Sequence, residues 1–278
     1  MITEYPLAWS TLGCPDWSFK RAAEQAATNG YAALEVRVLD GETIPTTLPA
    51  EQVSELRNIC LATGVDIVAL GLSTRFTSAD EAERVHNQEE LKRGIELAAK
   101  LNAPMVRTFG GDVAPGSSLQ QAISWVTEGL QSVADTAAEN QVLVLLETHD
   151  AFCRGQEVAL ALEPIDSPWI GAIWDVHHPF RKGESVEDTW RLLGPRVKHV
   201  HMKDARLLED GEWQLVLLGE GEVPCRDILA LLMKEGYEGY VSAEWEKKWH
   251  PDIEEPEIAL PQHAQVLRLW MEEIAAQA

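Results

Sequence analysis

Short apolar runs alternate with longer amphipathic segments eight times along the chain, and this alternation restricts the fold more than any other feature. The spacing predicts strands at Leu7–Thr11, Ala32–Val38, Val65–Leu72, Pro104–Phe109, Val142–Thr148, Ile170–Val176, Val197–Met202 and Gly239–Glu244. Helices are expected at Ser18–Asn29, Pro49–Thr63, Ala79–Leu101, Ser118–Asn140, Gln156–Leu162, Val186–Leu193, Cys225–Glu235 and Leu260–Ala276. Ser18 is a capping residue at the first helix start, and Gly64 is a stop after the second. The run Val142–Thr148 is almost wholly apolar, as a strand covered on both faces must be. A hairpin at Leu207–Val216, turning at Asp210-Gly211, interrupts the pattern. Units of roughly 35 residues suit consecutive βαβ crossovers. Eight in a row close into a parallel (β/α)8 barrel, an α/β fold. The length of 278 residues matches the ~250 that one such barrel needs. One domain over residues 1–278 is therefore expected. An open doubly wound sheet is the alternative, but it needs a glycine-rich phosphate loop after its first strand. Gly13-Cys14-Pro15-Asp16-Trp17 stands there instead, and no Walker A motif occurs anywhere.

Charge narrows the partners. Lys and Arg number 23 against 45 Asp and Glu, a net charge of −22. Such a surface repels phosphate backbones and anionic lipid, so neither nucleic acid nor a membrane is expected as a partner. Cys14, Cys60, Cys153 and Cys225 are far apart and form no C-x-x-C pair, which points to free thiols in a reducing compartment. The first residues lack a basic and then apolar leader, and no run approaches ~18 apolar residues. A cytoplasmic protein acting on a small molecule is the expectation.

In a barrel, chemistry gathers at the C-terminal ends of the strands. The second expected strand carries Glu35 and Arg37, and the fourth carries Arg107. The fifth ends in Glu147-Thr148-His149-Asp150 and the sixth in Asp175-Val176-His177-His178. The seventh reads His199-Val200-His201-Met202-Lys203-Asp204, and the eighth ends in Glu244-Trp245-Glu246. Strands five to eight thus each offer a metal-capable side chain at the same end: Glu147, Asp175, His201 and Glu244. Any one of these carboxylates alone reads as a helix cap or an ion-pair partner. Four strand-end groups coincide here, and the three carboxylates among them repel one another in a barrel mouth unless a cation neutralises them. His199 and His201 point the same way, and His201 lies nearer the mouth. Three carboxylates and one imidazole form a hard donor set, suited to one divalent ion: Mn²⁺, Mg²⁺ or Co²⁺, with Zn²⁺ also accepted on raw affinity. Arg107 and Lys203 are aimed at the mouth and are candidate contacts for a substrate carboxylate or phosphate. Glu35 is grouped with the substrate contacts, with a polar core role as its alternative.

These segments resemble the xylose-isomerase-like TIM barrels, the sugar phosphate isomerase/epimerase group that includes ketose 3-epimerases, hydroxypyruvate isomerase and inosose dehydratase. The resemblance rests on Ser10-Thr11-Leu12-Gly13, Leu34-Glu35-Val36-Arg37, Val106–Gly111, Leu146–His149, Asp175–His178, His199–Asp204, Leu218–Gly221 and Ser242–Glu244. It implies that Glu147, Asp175, His201 and Glu244 ligate the metal. It implies further that Glu147 and Glu244 serve as an acid/base pair and that His178 hydrogen-bonds the substrate. A homodimer or tetramer is also implied by the resemblance. One departure is visible: the ketose 3-epimerases place an arginine six residues beyond the ligand histidine, whereas Arg206 stands five beyond His201. The DNA-repair branch of the family, with three zinc ions and extra histidines, fits neither the acidic balance nor the single ligand set.

Three functions compete. The first is a metal-dependent sugar isomerase or epimerase that abstracts a proton alpha to a carbonyl and passes through a metal-stabilised enediolate. The second is a lyase or dehydratase acting on a keto-inositol or keto-glycoside, with His149 or His178 protonating the leaving oxygen. The third is a non-catalytic sugar-binding barrel. Trp9, Trp17, Trp174, Trp245 and Trp249 lie near strand ends, where rings either stack on sugars or pack the core. Lys247, Lys248 and the acidic run Asp252–Glu255 read as surface features.

Overall fold

A computed structural model describes residues 4–277. Eight parallel strands close into a barrel: β1 (Leu7–Ser10), β2 (Ala33–Val36), β3 (Asp66–Gly71), β4 (Met105–Thr108), β5 (Leu143–Glu147), β6 (Ile170–Asp175), β7 (Val197–Met202) and β8 (Tyr240–Ala243). Each strand pairs in parallel with its neighbour in sequence, and β8 pairs with β1, so no edge remains. Helices run back between successive strands. Several begin where the sequence predicts, because a side chain satisfies the first free amides. Ser18 Oγ accepts from Arg21 N, and Ser118 and Gln121 form a reciprocal capping box. Gly64, at φ +72°, ends the second long helix with its N–H on Cys60 O.

Two-residue periodicity divides each strand between two environments. Leu34, Val36, Val106, Val144, Leu146, Trp174, Val200, Met202, Val241 and Ala243 face the helices and join the main core. Ala8, Ala33, Ala69, Met105, Leu145 and Ile173 pack inside the barrel as a smaller apolar plug. Two residues further along the same inward rows stand Glu35, Gly71, Arg107, Glu147 and Asp175. The plug is therefore a floor, and the buried polar side chains form the layer above it.

The observed elements differ from the expected ones chiefly in five places. The predicted helix Ser118–Asn140 is two helices, Leu119–Gln131 and Ala134–Asn140. Ser132 Oγ donates to Gly129 O at the break, and such side-chain bonding competes with the helical ladder. The predicted strand Ala32–Val38 stops at Val36; Val38–Leu39 leaves the barrel to pair with Glu42–Thr43. Thr11 Oγ1 causes the departure by accepting from Arg37 N and Val38 N. A short helix, His177–Arg181, was not expected; Asp175 Oδ1 starts it by accepting from His177 N and His178 N. The last helix begins at Pro256, four residues before the expected Leu260, since proline suits a first helical position. The hairpin begins earlier too, pairing Asp204–Leu207 with Trp213–Val216.

Asp204 explains the run Leu218-Gly219-Glu220-Gly221. Its Oδ2 accepts from Gly219 N and Gly221 N, and its Oδ1 accepts from Val223 N and Ala205 N. Gly221 must be glycine, because a Cβ there would lie 2.2 Å from Asp204 Oδ1. Asp204→Ala would strand several buried amides. We expect a loss of about 2–3 kcal/mol, read as a lower urea midpoint at unchanged m-value; an unchanged midpoint would show that the loop is held by other contacts.

Candidate metal and substrate site

Glu147 ends β5, Asp175 ends β6, His201 lies in β7 and Glu244 follows β8. One ligand atom from each of these four lies within 4.8 Å of the other three, and all four residues are buried. His201 Nδ1 is 3.2 Å from Glu147 Oε1 and 3.4 Å from Glu244 Oε1. Asp175 divides its carboxylate: Oδ1 starts the short helix, while Oδ2 points into the cluster without a well-directed hydrogen bond. A donor set of three carboxylates and one imidazole nitrogen, closed around one point, fits a divalent cation.

The ammonium of Lys203 marks how strongly this cluster favours positive charge. Its Nζ is 2.7 Å from Asp175 Oδ2, 2.8 Å from Glu244 Oε2 and 2.5 Å from Glu246 Oε1. Burial alone lowers an ammonium's pKa, but Asp175, Glu244 and Glu246 outweigh it and hold Lys203 well above its ordinary value. Burial pushes Asp175 up to about 7; Lys203 opposes this, and Glu244 and Glu147 add to it. Glu147 is buried too, yet Arg107 Nη1 at 2.9 Å and His201 keep its carboxyl well below the usual range.

Glu35 sits behind His201, not on the cavity wall. Its Oε2 is 2.8 Å from His201 Nε2 and 3.1 Å from His199 Nε2. This turns the other nitrogen, Nδ1, toward the ligand carboxylates. The sequence grouped Glu35 with substrate contacts, with a polar core role as its alternative; its 1% exposure and its two histidine partners match the core placement. Glu35, His199 and His201 form a second cluster of metal-capable groups directly beneath the first.

A cavity of about 420 Å³ opens above the cluster, lined among others by Arg37, Ser73, Arg75, Arg107, Phe109, His149, Lys203, Glu246 and Trp249. His149 contacts Asp150 through Nδ1 at 2.7 Å. Burial works against protonation of His149, but Asp150 and Glu147 raise it overall. His178 lies behind it, ring centroids 4.6 Å apart, with Nε2 3.5 Å from Asp175 Oδ2. Burial, with Lys203 nearby, holds His178 neutral. Of the five tryptophans near strand ends, Trp9, Trp174 and Trp245 are core residues, Trp17 is nearly buried, and Trp249 reaches the cavity. Lys247 and Lys248 bind backbone carbonyls of Pro251, Ile253 and Gly41 and pin the loop after β8. Arg206 lies on the surface hairpin, with Nη2 on Glu220 O.

Sequence reasoning did not select Arg37, Ser73, Arg75, Phe109 or Glu246 as site residues. Arg37 and Glu246 stood in the strand-end segments already marked, so their placement was a usable signal. Ser73 and Arg75 come from the irregular loop after β3, which carries no motif.

Comparison with known proteins agrees with this architecture. The family model described as xylose isomerase-like TIM barrel matches residues 23–270. Fructoselysine 3-epimerase of Shigella flexneri is 21% identical, with 84% of this chain and 87% of that protein covered. The C-glycoside deglycosidase alpha subunit of Arthrobacter globiformis is 40% identical, with 68% of each chain covered. A solved structure of the IOLI protein with a bound zinc atom superposes with a TM-score of 0.79 at 17% identity, covering 98% of both chains. With its closed barrel and strand-end cluster, the chain belongs to the xylose isomerase-like TIM barrel family.

Proposed function

We propose that the protein is a divalent-metal-dependent enzyme that moves a proton at the carbon next to a carbonyl of a sugar-derived substrate, with epimerisation or isomerisation as the outcome. The observation that carries this reading is the convergence of Glu147, Asp175, His201 and Glu244 within 4.8 Å, with Glu147 and Glu244 lining a sugar-sized cavity. A divalent cation held by these four residues supplies Lewis acidity to the substrate's oxygens. Glu147 and Glu244 project from strands separated by β6 and β7, so they reach the substrate from different sides. One carboxylate takes the proton and the other returns one on the opposite face. Positioned proton transfer of this kind contributes ~10²–10⁴-fold. Phe109 and Trp249 form part of the cavity wall. The family relationship to named epimerases supports the same reading.

A second reading is elimination from a keto-glycoside or keto-inositol. It shares the first proton abstraction and adds a general acid. His149 favours it, because its pKa is raised beside Asp150 on the cavity wall and a protonated imidazole there can donate to a leaving oxygen. The 40% identity to a C-glycoside deglycosidase alpha subunit points the same way. The test is to incubate Mn²⁺-loaded protein in D₂O with ketoses, keto-inositols and 3-keto-glycosides. Deuterium gained next to the carbonyl of one compound is the expected result. An epimeric product establishes the first reading and an unsaturated product the second. No deuterium or product in any of them, with Mn²⁺ bound, would overturn the proposed function.

A further inference from the structure

The cavity has an arginine-lined end that the metal cluster does not account for. Arg37 is only 8% exposed, yet no carboxylate lies within ion-pair distance of it among the described residues. Its Nη1 donates to Gly71 O at 2.9 Å and to Ser73 Oγ at 2.7 Å, which fixes the guanidinium and leaves other N–H groups free. Arg107 lies across from it. A Cβ on Gly71 would stand 3.0 Å from both Arg107 Nη2 and Arg37 Cδ, so the two arginines converge over the one position in β3 without a side chain. Arg107 stacks on Phe109, 3.8 Å from guanidinium carbon to ring centroid, and its buried Nε has no partner. Arg75, on the loop after β3, lines the same cavity and forms no ion pair among the described residues.

Bringing like charges together in a half-dry cavity is unfavourable unless something compensates it. Glu147 compensates Arg107. Asp175, Glu244 and Glu246 are matched by Lys203, and a divalent cation would meet the remaining negative charge of that cluster. Glu147, Glu244 and Glu35 act on Arg37 from beyond contact distance, but neither Arg37 nor Arg75 has a carboxylate in direct contact among the described residues. Guanidinium groups are matched in shape to carboxylate and phosphate oxygens.

We propose that Arg37, Arg75 and the free edge of Arg107 form an anion subsite, and that the substrate carries a carboxylate or a phosphate at the end remote from the metal cluster. The proposal rests on the reading of the cavity as a sugar site. Its test measures binding, not turnover. Mn²⁺-loaded protein is titrated by calorimetry with D-glucose, D-glucuronate and D-glucose 6-phosphate. One charged sugar is expected to bind about tenfold or more tightly than glucose, as charge-assisted hydrogen bonds predict, and which one does so identifies the anionic group. Arg75→Met, at an exposed position, and Arg37→Met should each remove most of that preference, read as the ratio of charged-sugar to glucose affinity within the same variant. Equal or absent binding of the charged sugars, or a preference that survives both variants, overturns the subsite. A failure of deuterium exchange with the anion preference intact would instead count against the proton-transfer reading.

Discussion

Glu244→Gln is expected to slow proton exchange next to the substrate carbonyl by about 10²-fold or more, the size of one positioned acid/base group. The substitution keeps the shape of the side chain and removes its proton-accepting power. Lys203 would still be held by Asp175 and Glu246, so the loss of one carboxylate does not leave a buried ammonium alone. Glu147→Gln is a less clean experiment. Arg107 is 3% exposed and Glu147 is its ion-pair partner, so that variant buries an unpaired guanidinium. Breaking such a pair costs about 3–5 kcal/mol, and a lower Tm should accompany its loss of activity. Metal affinity must be measured for Glu244→Gln, because the same oxygen atoms belong to the proposed metal site. Slow exchange at full Mn²⁺ occupancy assigns Glu244 to proton transfer. Exchange restored by excess Mn²⁺ would confine it to holding the ion.

Glu35→Gln is expected to weaken Mn²⁺ binding about 10–100-fold, the usual consequence of losing the carboxylate behind a ligand histidine. In the native protein Glu35 Oε2 takes the Nε2 hydrogens of His199 and His201 at once. That fixes both rings and leaves His201 Nδ1 facing Glu147 and Glu244. An amide oxygen in the place of Oε2 can still face both donors, but it is neutral and a weaker acceptor than a carboxylate, so both rings are held less firmly. Calorimetric titration with Mn²⁺ and a thermal melt of the metal-free protein separate weakened ligation from general unfolding. Unchanged affinity together with a raised KM for substrate would return Glu35 to the substrate-contact role that its strand position suggested.

The legibility of this site in the sequence follows from period-two alternation. Asp175 shares an inward row with Ile173, Glu147 with Leu145, and Glu244 with Ser242. A polar residue closing an otherwise apolar row therefore announces itself without a structure. Glu147 and Asp175 close such rows, whereas His201 and Glu244 follow the polar His199 and Ser242 and were marked by standing at the corresponding strand ends. Capping residues worked for the same reason of locality: Ser18 and Gly64 act within one turn of their own position. The errors arose where a distant or competing partner intervened. Thr11 diverts the chain at Arg37 from 26 residues away, and the Ser132 hydroxyl interrupts a helix that periodicity alone would continue.

What the sequence by itself determined is the closed eight-unit barrel, the inward rows and the identity of the four clustered donors, because each depends on periodicity and on neighbours along the chain. What only the tertiary structure decided is the partnership of those groups. Glu35 and His201 are 166 residues apart, and Arg107 and Glu147 are 40 apart. Lys203, read as a substrate contact, lies among the carboxylates of Asp175, Glu244 and Glu246. Arg37, noted at a strand end but given no role, faces Arg107 across Gly71. Such pairings depend on barrel closure, which brings the ends of different strands within hydrogen-bonding distance, and no spacing within a single segment encodes them.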